Sequence, residues 1–258
     1  MKKFCLLLIF ILSFYVVSFP QNNFDEKAEA VVKRAVEKLG GEKYLQVKSQ
    51  VSTGNFTLLA GGQPQQPSSF VDVIVYPRKE RTEFKQSGAK TIQTNDGEKG
   101  WIFDGANKTI REQTKSEIED FERGLRASFD NLLRGGWRGK AVLNYVGRRQ
   151  ASIGKRNDVV RLTFPDNFAV EFEFADDALP VKAIYKRKNS SDEDVREENR
   201  YAQFVETDGV LAPFIVDHFV ADQHASRINY LSIEFNKNIP DSIFNKPSNA
   251  KALKDLKL

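Results

Sequence analysis

Only two imidazoles occur in the chain, and both fall in one short stretch. His218 and His224 flank a turn at Ala221-Asp222-Gln223, with Asp217 and Asp222 beside them. Imidazole nitrogens and carboxylate oxygens are zinc-type ligands, but this spacing fits no established zinc pattern. The plainer reading makes them surface residues of a hairpin. The one cysteine, Cys5, lies in an apolar N-terminal run, so a processed chain would carry no thiol. Disulfides, thiolate metal sites and a cysteine nucleophile go with it. The sequence holds no G-x-S-x-G elbow, phosphate loop or dinucleotide fingerprint. Gly61-Gly62 and Gly135-Gly136 read as turn and cap glycines. Carboxylates are plentiful, but an acid–base pair depends on a separation that sequence does not fix. These residues predict no catalytic centre, no metal site and no cofactor.

The chain of 258 residues is long enough for one large β domain or two small ones. Lys2 and Lys3 precede an apolar run from Phe4 to Val17, the pattern of a signal peptide, with cleavage expected after Ser18. An uncleaved N-terminal anchor is the alternative. A cysteine-free exported chain suits the bacterial periplasm. The formal charge is +4, and loss of Lys2 and Lys3 leaves 37 basic against 35 acidic residues, or +2. Such balance gives no sign of nucleic-acid binding.

The elements begin with a helix. Asn23 and Glu26 suit a capping box, and Val31, Val32, Ala35, Val36 and Leu39 form an apolar stripe that stops at Gly40-Gly41. From Val51 the period becomes two. Strands are predicted at Val51–Ala60, Phe70–Tyr76 and Arg81–Gln86. On Phe70–Tyr76, Phe70, Ile74 and Tyr76 share one face and three valines the other, so both faces should be covered. Asn95-Asp96-Gly97 is turn chemistry, and Trp101 and Phe103 then share one face of a strand. A second helix is predicted over Ser116–Arg134, capped by Ser116 and Glu119, with Ile118, Phe121, Leu125, Phe129, Leu132 and Leu133 as its stripe. Plain packing against the sheet accounts for most of that stripe.

Further strands are predicted at Val142–Gly147, Asp158–Phe164, Phe168–Ala175, Val181–Lys188, Arg200–Glu206, Pro213–Ala221 and Arg227–Asn236. Phe168, Val170, Phe172 and Phe174 alternate with Glu171 and Glu173, the mark of a half-buried antiparallel strand. Asn189–Glu198 reads as a charged loop and residues 248–258 as a flexible tail. Hairpins with only two substantial helices predict one α+β, mainly β domain: a large curved antiparallel sheet with helices against one face. A Phe-rich sheet roofed by an apolar helix can enclose a cavity for an apolar ligand, or be filled by its own side chains.

A resemblance adds to this reading. Tyr76-Pro77-Arg78-Lys79-Glu80-Arg81-Thr82-Glu83, Asn95-Asp96-Gly97 and Trp101-Ile102-Phe103-Asp104 resemble the periplasmic outer-membrane lipoprotein carriers, the LolA/LolB-like group. Asp208-Gly209 with Pro213, and Phe244 with Pro247, are similar too, and the order of elements agrees from about Asp25 to Pro247. The resemblance implies an incomplete antiparallel β-barrel over residues 19–247, with helices covering its concave face and a cavity for acyl chains. It implies that Arg81 helps hold the lid closed. Trp101, Phe103, Phe121, Leu125 and Phe129 are the expected ligand-binding residues. The expected function is a periplasmic, monomeric, non-enzymatic carrier of acyl chains of a lipid or lipoprotein, with a membrane handover protein as partner. The alternative is an envelope sensor or interaction protein on the same scaffold, and after it a hydrolase.

Overall fold

A computed structural model of the protein describes residues 25–255. Helix α1 (Glu26–Leu39) and the short α2 (Glu42–Leu45) lead into strand β1 (Ser49–Ala60). A two-residue β2 (Gln63–Pro64) folds back on β1, and β3 (Ser68–Val75), β4 (Lys79–Gln86), β5 (Ala89–Asn95), β6 (Gly100–Asp104) and β7 (Thr109–Glu112) follow. Helices α3 (Lys115–Arg126) and α4 (Phe129–Leu133) come next. The remaining strands are β8 (Val142–Ser152), β9 (Lys155–Thr163), β10 (Ala169–Phe174), β11 (Pro180–Lys188), β12 (Asp194–Thr207), β13 (Val210–Val220) and β14 (Gln223–Phe235). Two 3-10 turns, Asp241–Phe244 and Ala252–Asp255, end the described chain.

Apart from β2, the strands lie in the order 7-6-5-4-3-1-14-13-12-11-10-9-8, every pairing antiparallel. Two meanders of short hairpins are thus joined where β1 meets β14. The sheet stays open between its edge strands β7 and β8. The chain must cross that opening once, and the crossing is α3 and α4. Topology alone therefore places these helices over the inner face of the curved sheet.

The main core fills the β8–β11 side of that inner face. Ala28, Val31, Val32, Ala35 and Leu39 of α1 pack with Phe129, Leu132 and Leu133 of α4 on Leu143, Val160, Leu162, Val170 and Phe172. Helix α1 is capped by Asp25, whereas Asn23, the expected cap, lies outside the described residues. Asp25 Oδ1 accepts from the backbone of Lys27 and Ala28, and Oδ2 accepts from Tyr145 N at an irregularity of β8. The helix ends on Gly40, φ 126°, where a Cβ would stand 2.4 Å from the carbonyl oxygen of Gly209. Glycine is the residue that accepts both the angle and the contact.

The structure corrects the single second helix. Thr114, not Ser116, forms the capping box with Glu117, and the helix stops at Arg126. Ser128 caps a separate α4 through Asn131 N. The charged segment expected as a loop joins β12 from Asp194 onward, its side chains paired across strands. The alternation on β10 is present, with Val170, Phe172 and Phe174 buried, but Glu173 is buried as well. Arg149 and the Asn157 amide cover it on the outer face. The edge strand β7 pairs with β6. The predicted leader, residues 1–18, lies outside the described residues, and the predicted tail forms the turn Ala252–Asp255.

Candidate functional site

Helix α3 spans the open side of the sheet without burying any residue. Ion pairs fix it at three rims. Arg111 on β7 holds Glu117 at 2.7 Å, Arg78 in the β3–β4 turn holds Glu122 at 2.8 Å, and Arg126 holds Asp166 in the β9–β10 turn at 2.7 Å. The bond from Arg111, with the Thr114 backbone, holds the Glu117 carboxyl down at about 2. Between these supports, α3 carries Phe121 and Leu125 over a cleft of about 890 Å³. Ile74 and Glu80 of the sheet form the opposite wall, and Asp130 and Arg134 belong to the lining.

A polar knot closes the inner end of the cleft. The Tyr44 hydroxyl donates to Asp130 Oδ1 at 2.8 Å, and the Tyr76 hydroxyl donates to Oδ2 at 3.3 Å. Arg134 Nε donates to Asp130 Oδ1 at 2.8 Å, and Nη1 donates to the Val47 carbonyl at 3.1 Å. The guanidinium lies over both phenol rings, 4.4 Å from Tyr44 and 4.1 Å from Tyr76. Burial, reinforced by the charge on Asp130, pushes both phenols well above their ordinary values. The knot ties α4 to α2 and to the end of β3.

The structure separates the residues expected to bind ligand. Phe121 and Leu125 line the cleft. Phe129 lies deeper, against Phe172, Phe174 and Tyr201, and borders a second cavity of about 150 Å³. Trp101 and Phe103 do share a strand face, but it is the outer one. Trp101 stands opposite Thr94, Thr94 opposite Arg81, and Arg81 opposite Val73, all directed away from α3. Trp101 is 3% exposed and donates from Nε1 to the Phe244 carbonyl at 2.8 Å. Its face is covered by the C-terminal turn rather than by the helix.

Arg81 sits on the same outer face. Its Nη1 donates to the Ile243 carbonyl at 2.8 Å and its Nη2 to Glu83 Oε1 at 2.6 Å. The guanidinium lies 5.4 Å from the Trp101 ring. Arg81 does bond a backbone carbonyl, but on the Asp241–Phe244 turn and not on α3. The two histidines also point apart. His218 contacts Glu197 and Asn199, each at 2.8 Å, which occupies both ring nitrogens. His224 stacks on Phe219 and meets Asp217 at 2.9 Å. Their neighbours in the register lie on opposite sheet faces, so they do not converge. Among the described residues, no three His, Cys, Asp or Glu groups are placed to hold a metal ion.

Sequence reasoning missed Ile74, Tyr76 and Glu80 as cleft residues, although Phe70, Ile74 and Tyr76 were seen to share a face of β3. No protein-family model matches the sequence, and no curated protein matches it. Solved structures do match. A DUF1329 family protein from Desulfovibrio piger superposes with a TM-score of 0.60 at 13% identity, over 86% of this chain and 98% of the other. A putative outer membrane lipoprotein-sorting protein domain from Vibrio parahaemolyticus gives 0.56 at 12%, over 85% and 97%. A LolA superfamily protein from Nitrosomonas europaea gives 0.56 at 15%, again over 85% and 97%. The chain has a LolA-like fold. In this LolA-like fold the cleft lies between the crossing helix and the open sheet.

Proposed function

We propose that the protein is a periplasmic carrier that holds the acyl chains of a lipid or lipoprotein beneath α3. The observation that carries this reading is the unpartnered apolar side of that helix. Phe121 and Leu125 are only half-buried, and they face a cleft rather than a packed core. A chain inserted there would cover them, at about 0.8 kcal/mol for each CH₂ taken from water. The likeness to a lipoprotein-sorting domain and to a LolA superfamily protein supports the same direction. The wall is not uniformly apolar, because Glu80, Asp130 and Arg134 interrupt it. Phe121, Leu125 and Phe129 remain the proposed chain-contacting residues. Trp101 and Phe103 drop out, since they lie behind the sheet. Arg81 bears on the lid only through the strands between them. The charged apolar-run leader would deliver the chain to the periplasm, where a membrane protein would receive the cargo.

Native mass spectrometry of protein purified from its own host tests the reading. Co-purifying lipid or acylated protein, displaced by a dansyl-labelled undecanoic acid, is the expected result. Protein that is empty on isolation and takes up no labelled acid would end it.

A further inference from the structure

Two carboxylates on the inner face stand apart from every other acidic cluster in the fold. The other buried carboxylates meet arginines, Glu173 with Arg149, Glu197 with Arg187 and Glu198 with Arg196. Asp72 on β3 and Glu80 on β4 have no Lys, Arg or His partner among the described residues. The nearest basic residues in sequence are committed elsewhere, Lys79 to Asp241, Arg81 to Glu83 and Arg78 to Glu122. Thr82 Oγ1 donates to Asp72 Oδ1 at 2.7 Å. A hydroxyl has a single proton to give, so it serves one carboxylate at a time. Burial raises both carboxyls, and the charge of Asp72 raises Glu80 further.

Ser52 supplies an independent sign of a missing group. It stands directly across from Asp72 in the β1–β3 register, so both side chains leave the same face. Its side chain is fully buried, and Oγ has no hydrogen-bond partner. Buried polar atoms are normally paired, so an orphan beside two uncompensated carboxylates marks an incomplete site. Tyr230 stands across Gly54 from Phe70, one rung along the same face, and its ring meets Phe70 edge-on at 5.7 Å. Carboxylates beside aromatic rings suit an organic cation, which draws on both ionic and cation–π attraction. Glu80 opens on the cleft, so the cation would enter from the side where the chain lies.

We propose that Asp72, Glu80 and Ser52 form a subsite for the ammonium group of an amphiphilic ligand whose chain lies in the cleft. The chain's place rests on the carrier reading, whereas the cation's place rests on the carboxylates alone. Calorimetric titration of the full chain, below micelle concentrations, tests it with three probes. These are decylammonium, decanol and butylammonium. The long cation should bind about tenfold or more tighter than decanol, the scale of a charge-assisted contact. Asp72→Asn should erase that advantage and leave decanol unchanged, and Glu80→Gln, at the cleft wall, should erase it as read from the ratio of the two affinities. Both are nearly isosteric, and a thermal melt verifies that they fold.

If decanol binds and the long cation has no advantage, or keeps it in Glu80→Gln, the subsite is overturned and the chain reading stands. If decanol fails while butylammonium binds the natural protein and not Glu80→Gln, the subsite stands and the chain reading falls. Failure of both cations overturns the subsite.

Discussion

Arg81 places its guanidinium where 1% of the residue meets solvent. That is tolerable because its donors are used, by Ile243 and Glu83, and its face lies beside Trp101. Lys90 also pairs with Glu83. Arg81 is thus the post to which the C-terminal turn is tied, and Trp101 is the neighbour that senses the tie. Arg81→Leu strips Glu83 of its buried partner and leaves the Ile243 carbonyl unpaired. Losing one member of a buried pair costs about 3–5 kcal/mol, and the residual Lys90 contact puts the expectation at the lower end. Urea unfolding should show that loss. In native conditions the Trp101 emission should shift to the red as Phe244 lifts, measured in a Trp137→Phe background. A variant with unchanged stability and unshifted emission would show that the turn is held by Ile243 and Phe244 packing on Val73 alone. Trp101 therefore reports docking of the C-terminal turn and is a poor reporter of ligand in the cleft.

At the scale of elements, α3 and α4 share one apolar stripe and have different duties. In α4, Leu132 is fully buried, and Leu132→Ala should cost about 2–5 kcal/mol by urea unfolding, whether or not ligand is present. In α3, Phe121 overhangs the cleft. Phe121→Asp should change unfolding by less than about 1 kcal/mol, as for a surface site, yet lower affinity for a dansyl-labelled fatty acid at least tenfold. A large stability loss with intact binding would mean that Phe121 belongs to the core.

The continuous stripe from Ile118 to Leu133 hid this division, since periodicity does not show which turns have something beneath them. Nothing in the spacing of the stripe marked the break at Ala127–Ser128. The hairpins were plainer, because alternation and turn residues are local. Val73 under Ile243 bears out the cover expected for one face of β3, whereas Ile74 on the other face opens on the cleft. The face of Trp101 was not legible. Period two says that Trp101 and Phe103 share a side, while the side is decided by Phe244, 143 residues downstream. Glu80 was hidden among the alternating charges of β4, whose inward members look like the outward ones in sequence.

For the molecule as a whole, two populations of carboxylates oppose each other as pH changes. Glu117, Asp166, Glu171 and Asp25 are held below the ordinary range by arginines or backbone donors. Their contribution is present above the unfolded carboxylate value, about 4, and is lost as acid protonates them. Asp72 and Glu80 run the other way. Their folded values are raised, so the native state binds more protons than the unfolded chain once pH exceeds about 4. Stability from this pair is complete below that value and declines as pH rises through the elevated range. Without ligand, the protein should be most stable in weak acid.

Urea unfolding free energies should accordingly fall between about pH 5 and about pH 8. Glu80→Gln carries no ionisable group there, so its profile should be flatter, and the variant should overtake the natural protein on the alkaline side. Below about pH 4 the two should run together, because Glu80 is protonated in both states. A saturating organic cation that binds only the native state should restore the alkaline loss in the natural protein and do little for Glu80→Gln. A natural protein whose stability is level across that span, or a variant that declines as steeply, would show that Glu80 is ionised without penalty where it stands.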